Sequence, residues 1–386
     1  MFFTYFVGNL LSNCGTWIQN IAQSILVYRL THSSLLVGVT NFSQFAGVTV
    51  LAPWSGRAAD RFDRRRLIVL TQLVAVAITG ILAALAGLGR ASVPVVIGLA
   101  LLLGANNAFV EPALKAFVPS LVAWRDVGAA LTMDSATFSL ARAVGPVAGA
   151  AIVALVGIPW AFAVNCTSYL TLIAALLVIG PRPQARRAGS PARLRDSLRL
   201  VRNDTRLAVL LGVTAAVSMA CDPPNTLGPA FSTHVFHHSA SLTGVLVGGF
   251  GAGATLAALT ATAERRNPER WIAVTLVAML VGVVGFATAG SLPVALVALV
   301  IAGFGFLAVQ TSATTLIVVR VPDGQRGQVM ALWTVAFLGT RPLASLTEGL
   351  LSGPLGIRGA AGFMAVPLLV ALAALALVRR IPPGPA

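Results

Sequence analysis

The sequence predicts an all-α integral membrane protein, with twelve transmembrane helices in two pseudo-symmetric six-helix bundles. Three observations predict it. First, 57% of the 386 residues are hydrophobic, 10% are charged, and mean hydropathy is +0.86. A soluble domain is about 25% charged, so here lipid must solvate much of the surface. Second, the basic residues fall almost wholly in alternate loops. Third, short motifs recur at offsets of 206, 203 and 201 residues, near half the chain.

Apolar stretches of spanning length, roughly 20 residues, run over 4–29, 35–57, 66–88, 93–117, 127–156 and 159–180 in the first half. Those of the second half run over 206–231, 242–263, 270–289, 292–319, 328–350 and 357–379. The first is no cleaved signal: it is too long, polar along one side, and lacks a small-residue cleavage site. Almost nothing precedes it, which suggests an incomplete amino terminus. Only Gly157–Pro159 separates the fifth stretch from the sixth, so that hairpin is tight.

With the amino terminus placed in the cytoplasm, 22 of the 27 Lys and Arg residues fall in inner loops or the tail. Only Arg29, Arg90 and Arg358 fall outside, and Arg142 and Arg341 lie within helices. The positive-inside rule then places both termini in the cytoplasm of a bacterial inner, or plasma, membrane. A missed or invented helix would scramble this alternation. The expected domains are a first bundle over 1–180, a cytoplasmic linker over 181–205 and a second bundle over 206–386. In the linker, Leu194, Leu198 and Val201 share one helical side, and Arg195, Arg199, Arg202 and Arg206 another. This is the pattern of an interfacial helix on membrane lipid. A net charge of +15 so distributed gives no reason to expect nucleic acid.

The repeats are specific. Gly38-Val39 with Ala46-Gly47 recurs as Gly244-Val245 with Ala252-Gly253. Val118-Pro119 and Arg125 recur as Val321-Pro322 and Arg326. Parallel structural repeats give such a constant offset.

The loop after the second stretch reads Gly56-Arg57-Ala58-Ala59-Asp60-Arg61-Phe62-Asp63-Arg64-Arg65-Arg66. It resembles the loop signature of the major facilitator superfamily. Gly56 permits close packing. Asp60 suits the positive end of a helix dipole. Arg61, Arg64 and Arg65 suit acids or lipid headgroups. The resemblance implies a conformational latch, and the competing reading is a plain positive-inside loop. Gly145-Pro146-Val147-Ala148-Gly149 resembles, in part, the exporter-associated motif of the fifth helix, whose glycines and proline shape the contact between the halves. Pro146 removes one helix hydrogen bond and crowds the carbonyl of Arg142. With Leu11–Trp17 and Arg326–Met330, these stretches are similar to the enterobactin-exporter and macrolide-efflux-like branch. The resemblance implies a secondary active transporter working by alternating access, an exporter of a small organic molecule, with uptake the alternative.

Polar stripes at helical spacing mark where a substrate would bind. Asn9, Asn13, Thr16, Asn20 and Gln23 form one, Thr214, Ser218, Asp222 and Asn225 a second, and Thr334, Arg341, Ser345 and Glu348 a third. Ser135, Ser139 and Arg142 mark the fifth helix. Polar groups facing hydrocarbon are costly, so these stripes either line a cavity or bond between helices. Arg142 and Arg341 lie 199 residues apart on equivalent helices, each before a proline. They offer charge to an anionic or zwitterionic, siderophore- or antibiotic-like substrate. Otherwise they pair internally, Arg341 with Asp222 or Glu348, and Arg142 with Asp134 or Glu111. Proton coupling would use a buried carboxyl from Asp222, Glu348, Asp134 and Glu111, with Asp222 foremost because Asp222-Pro223-Pro224-Asn225 breaks its helix.

Other signals are discounted. Gly249-x-Gly251-x-x-Ala254 and Gly303-x-Gly305-x-x-Ala308 mimic a dinucleotide fingerprint but lack a preceding strand, so they read as helix packing. Cys14, Cys166 and Cys221 have no metal spacing and read as small buried hydrophobes. His234, His237 and His238 read as a solvated turn. The expectation is therefore no metal, no cofactor, no catalytic cluster and a monomer. A scaffold or membrane enzyme would explain neither the repeated stripes nor their shared depth.

Overall fold

The computed structural model describes residues 1–180, 201–260, 267–321 and 323–379. Several side chains within these ranges, those of Gly56, Asp60, Arg61, Ser139 and Arg326 included, lie outside the description. So does most of the basic amphipathic linker, over 181–200.

Every regular element among the described residues is helical. The first six helices are α1 (Phe2–Thr31), α2 (Ser34–Arg61), α3 (Arg64–Gly87), α4 (Val93–Phe117), α5 (Val127–Leu155) and α6 (Ile158–Ile179). The second six are α7 (Thr205–Ala220), α8 (Thr243–Thr260), α9 (Pro268–Thr288), α10 (Leu292–Arg320), α11 (Asp323–Leu338, resuming as Arg341–Leu351) and α12 (Gly356–Phe363, resuming as Ala365–Arg379). Short polar residues set the starts: Ser33, Asp63, Asp204 and Asn267 each accept a backbone N–H of the first turn. Gly157, at φ 102°, supplies the left-handed turn between α5 and α6.

Among the described helices, α3, α4, α6 to α10 and α12 are long and apolar enough to cross a membrane on composition alone. The other four, α1, α2, α5 and α11, are interrupted by polar residues. Twelve crossings put both ends of the chain on one side, called here the terminal face, with the far face opposite.

Glycines set the helix contacts, and the repeats gain a physical reason. Gly47 lies against the α4 backbone at Gly104 and Ala105; Gly253 lies against the α10 backbone at Val300 and Phe304. Gly303 meets the carbonyl of Phe250 and Gly305 that of Thr275, which is helix packing, as expected for the false dinucleotide pattern. Gly38 meets Ser345 across the seam between halves, and its repeat mate Gly244 meets Pro146 and Ala150. Thus α2 packs on α11 as α8 packs on α5.

These seam contacts lie towards the far face. Gly251 meets Ala143, Gly248 meets Val147, and Gly349 meets Leu35. An apolar cluster there joins Leu26, Tyr28, Val37 and Val153 of one half to Ala230, Ala240 and Val247 of the other. The Tyr28 and Thr233 hydroxyls are 3.1 Å apart. Among the described residues, Arg341–Leu351 packs extensively along α2, more so than Asp323–Leu338 does.

The terminal face of the second half is clasped by Asp204, which accepts from Arg320 Nε at 2.6 Å and from the N–H groups of Arg206 and Leu207. Partial burial pushes its carboxyl up, but the Arg320 hydrogen bond and the two N–H bonds prevail and hold it below the usual range. Its stabilisation is complete above about pH 4 and is lost as pH falls through the lowered folded value. Asp204→Asn is expected to cost about 1 kcal/mol. Thermal melts in detergent should show a lower Tm at neutral pH and a smaller difference from wild type below about pH 3.

Candidate functional site

Two broken helices build the centre. α7 stops at Ala220 because Pro223 and Pro224 lack the N–H to continue it, and it resumes as Pro223–Thr226. The break leaves Cys221 and Asp222 projecting between the halves. α11 breaks before Arg341, with Pro342 opening its second piece. The Ser218 hydroxyl donates to the Phe337 carbonyl beside this break and ties α7 to α11.

Arg142 of α5 and Arg341 of α11 are 7% and 4% exposed and reach the same atom from opposite halves. Arg142 Nη2 donates to Cys221 Sγ at 3.4 Å, and Arg341 Nη2 lies 3.8 Å from it. Aromatic faces hold both guanidinium groups. Arg142 lies 4.6 Å from the Phe306 ring, 5.3 Å from Phe250 and 5.5 Å from Trp17. Arg341 lies 5.4 Å from Phe337 and 5.8 Å from Phe45. Such stacking orients the cation without neutralising it.

The internal ion pairs that the sequence allowed do not form. Among the described residues neither guanidinium has a carboxylate within 4.0 Å. Two of the acids have other partners: Asp222 Oδ2 accepts from Thr226 at 2.6 Å and from Ser345 at 2.7 Å, and Asp134 accepts from Tyr5 and Asn9. Thiol sulfur is a weak acceptor, and the buried Arg341 Nε has none. The pair therefore keeps most of its donor capacity for another ligand.

A cavity of about 20 Å³, enough for a water molecule, lies beside them. Trp17, Asn20, Asn41, Gln44, Asn225 and Asp222 line it, with Arg341. A ladder of amides fixes the α1–α2 wall: Gln23 donates to Gln44 at 3.0 Å, and Gln44 to Asn20 at 2.7 Å. Asn41 donates to Thr226, carrying the network into α7. The space is too small for an organic substrate.

Of the residues read from sequence, Asn20, Arg142, Asp222, Asn225 and Arg341 come together here. Asn13 does not: it bonds Thr137 in a separate α1–α5 cluster with Asp134. Tyr5 and Asn9 complete that cluster, and Glu111 lies near Tyr5. Glu348 is fully buried near Asp222 and Cys221 of α7 and does not line the cavity. Gly145 and Gly149 seat α5 on Trp17 and Ile18 of α1, in the same half, while the Pro146 carbonyl faces Gly244 of the other. Arg64 donates to the Ala116 carbonyl and Arg65 to that of Leu176, capping the ends of α4 and α6 within one half.

Cys221 needs the clearest correction. It is buried as expected, yet it is the acceptor shared by both arginines. Its place beside Asp222-Pro223-Pro224 was the available signal. Gln44 and Asn41 were missed because α2 was read for glycines alone; Trp17, Phe250 and Phe306 were missed because aromatics in apolar helices look like core. No group of three metal-ligating residues occurs among the described residues.

A family profile described as "Transmembrane secretion effector" matches residues 1–386. The chain is 26% identical over 405 residues to the enterobactin exporter EntS of Citrobacter koseri, covering 98% of this chain and 94% of that one. It is 27% identical over 176 residues to the staphyloferrin A transporter of Staphylococcus aureus, a stretch that spans 45% of this chain and 44% of that relative. A bacterial homologue of the human lysosomal transporter Spinster superposes with TM-score 0.80 at 15% identity, covering 97% and 96% of the two chains. That last likeness is one of fold.

Proposed function

The chain belongs to the transmembrane secretion effector family of major facilitator transporters, and from that premise we propose that it exports a small organic anion across a bacterial inner membrane. The supporting observation is the convergence of two buried arginines, one from each half, on a single point that no carboxylate occupies. An acidic group of the substrate takes the place of Cys221 Sγ between them. It relieves the repulsion of the two cations and links the halves, so binding is coupled to their rocking. The relatives named for enterobactin and staphyloferrin A support a siderophore-like anion. The basic loops support a cytoplasmic terminal face, and on that reading substrate enters from that side. An inside-negative membrane then drives each negative charge outward by about 2.3 kcal/mol per 100 mV.

Thiol labelling tests this reading. In a Cys14→Ala, Cys166→Ala background, Cys221 should react roughly tenfold faster with a negatively charged thiosulfonate than with a positively charged one. Enterobactin or staphyloferrin A should slow that reaction, and Arg142→Ala should remove the charge preference. Labelling indifferent to reagent charge and unprotected by either ligand would sink the anion site. Flux into, rather than out of, cells under the same conditions would make the chain an uptake permease.

A further inference from the structure

We propose that Gln310, with Trp333 and Phe337, forms a second binding point for the substrate: a subsite that takes a planar aromatic ring carrying a carboxamide. The inference rests on the arginine pair being the seat of the substrate's acid, and it names the group that stands beside that acid.

Gln310 of α10 is 7% exposed, yet neither its side-chain nitrogen nor its side-chain oxygen has a hydrogen-bond partner among the described residues. A polar atom left unpaired at such burial costs about 1–3 kcal/mol, and Gln310 leaves two. Its neighbours one helical turn away on the same face locate the amide. Phe306, the neighbour before it, has its ring centre 4.6 Å from the Arg142 guanidinium and 6.3 Å from the Phe337 ring centre. Thr314, the neighbour after it, accepts from Trp333 Nε1 at 3.0 Å and donates to the Gln310 backbone carbonyl at 2.7 Å. Both neighbours thus engage the first piece of α11, and Gln310 stands between them, across from Trp333 and Phe337.

These two rings stack on each other, 5.2 Å apart and 27° from parallel, and both are partly buried. Phe337 also lies 5.4 Å from Arg341. An aromatic surface therefore runs from the two arginines to the Trp333 indole, with the unpaired amide beside it. Ring faces and edges favour another ring laid against them. The amide sets the second requirement. It offers one donor group and one acceptor side by side, and a single group satisfies both when it presents an acceptor beside a donor in one plane. A carboxamide does so. An ester or ketone leaves the Gln310 oxygen unpaired, and a carboxylate sets its charge against that oxygen. From Phe306 to Gln310 is about 6 Å along α10, the reach of one aromatic ring from an acid held at the arginines to an amide on its opposite edge.

The test measures the affinities of four small probes for the full chain in nanodiscs, by saturation transfer from protein to ligand protons. para-Carbamoylbenzoate carries acid, ring and amide. para-Acetylbenzoate keeps the shape but has no donor, the cyclohexane analogue of the first probe has no aromatic face, and terephthalamide has no acid. para-Carbamoylbenzoate should bind about tenfold tighter than para-acetylbenzoate and about fivefold tighter than the cyclohexane analogue. Gln310→Met keeps the side-chain length and removes both unpaired atoms. It should abolish the preference over para-acetylbenzoate without lowering the Tm, and Trp333→Leu should abolish the preference over the cyclohexane analogue. Equal affinities for para-carbamoylbenzoate and para-acetylbenzoate, a preference that survives Gln310→Met, or no saturable binding of para-carbamoylbenzoate would each overturn the proposal. Terephthalamide binding as tightly as para-carbamoylbenzoate, with the Gln310 dependence kept, would sink the anion assignment alone. Acids that bind alike, and all weaken with Arg142→Ala, would sink the ring subsite alone.

Discussion

Arg142→Ala and Arg341→Ala are each expected to weaken substrate binding about 100-fold, roughly 3 kcal/mol, and to reduce export to background. Each removes one of two buried donors that reach the same acceptor position, and each leaves the remaining cation to hold the anion from one half only. Loss from either side should therefore break the link between binding and rocking. The double variant should lose less than the sum, because the two side chains act on one ligand group. Lysine at either position keeps the charge but not the planar fork that stacks on Phe306 or Phe337, so an intermediate loss is expected. Folding is checked by the melting profile. Truncation breaks no direct ion pair, since neither arginine has a carboxylate within 4.0 Å in the described structure. Unchanged affinity in both single variants would show that the arginines are structural.

Gly244→Leu is expected to cut transport more than tenfold by a different route. Any side chain at Gly244 overlaps the Pro146 carbonyl and Ala150, and one at Gly38 overlaps the Ser345 carbonyl. Both contacts exist only while the far seam is closed. Overpacking there costs about 2 kcal/mol, roughly a 30-fold shift towards the state open at the far face. Gly38→Leu should behave alike, because the two glycines are repeat mates on the two seams. Gly98→Leu is the control, since a side chain there meets open space. Labels on opposite halves of the far face should be further apart in both seam variants and unchanged in the control. Normal transport by Gly244→Leu would mean that this seam need not close.

The fold was legible because its strongest signals are additive along the chain. Hydropathy, loop charge and repeat offset each sample many residues. The breaks in α7 and α11 were legible too, since proline acts locally. Much of the site was legible as stripes, because a polar residue facing lipid is costly wherever it lies. The partner of each polar residue was not legible. Asn13 and Asn20 share one stripe on α1, yet one bonds Thr137 and the other bonds Gln44. Their separation along α1, about 10 Å at 1.5 Å per residue, sends them to different helices. Cys221 and the aromatic faces were hidden for the opposite reason. Apolar side chains in apolar helices have no contrast, and only the approach of a cation gives them a role. Glu348 belonged to the same stripe as Arg341, and sequence could not tell a cavity wall from a buried interior position.

The central claim is that one acidic group of the substrate bridges the arginines of the two halves. A cryo-electron microscopy map of the chain with whichever of enterobactin or staphyloferrin A protects Cys221 tests it most directly. Expected is ligand density between Arg142 and Arg341, with an acidic group about 3 Å from both guanidinium groups and Cys221 Sγ displaced. Ligand density elsewhere, with both arginines still turned to Cys221, would contradict it.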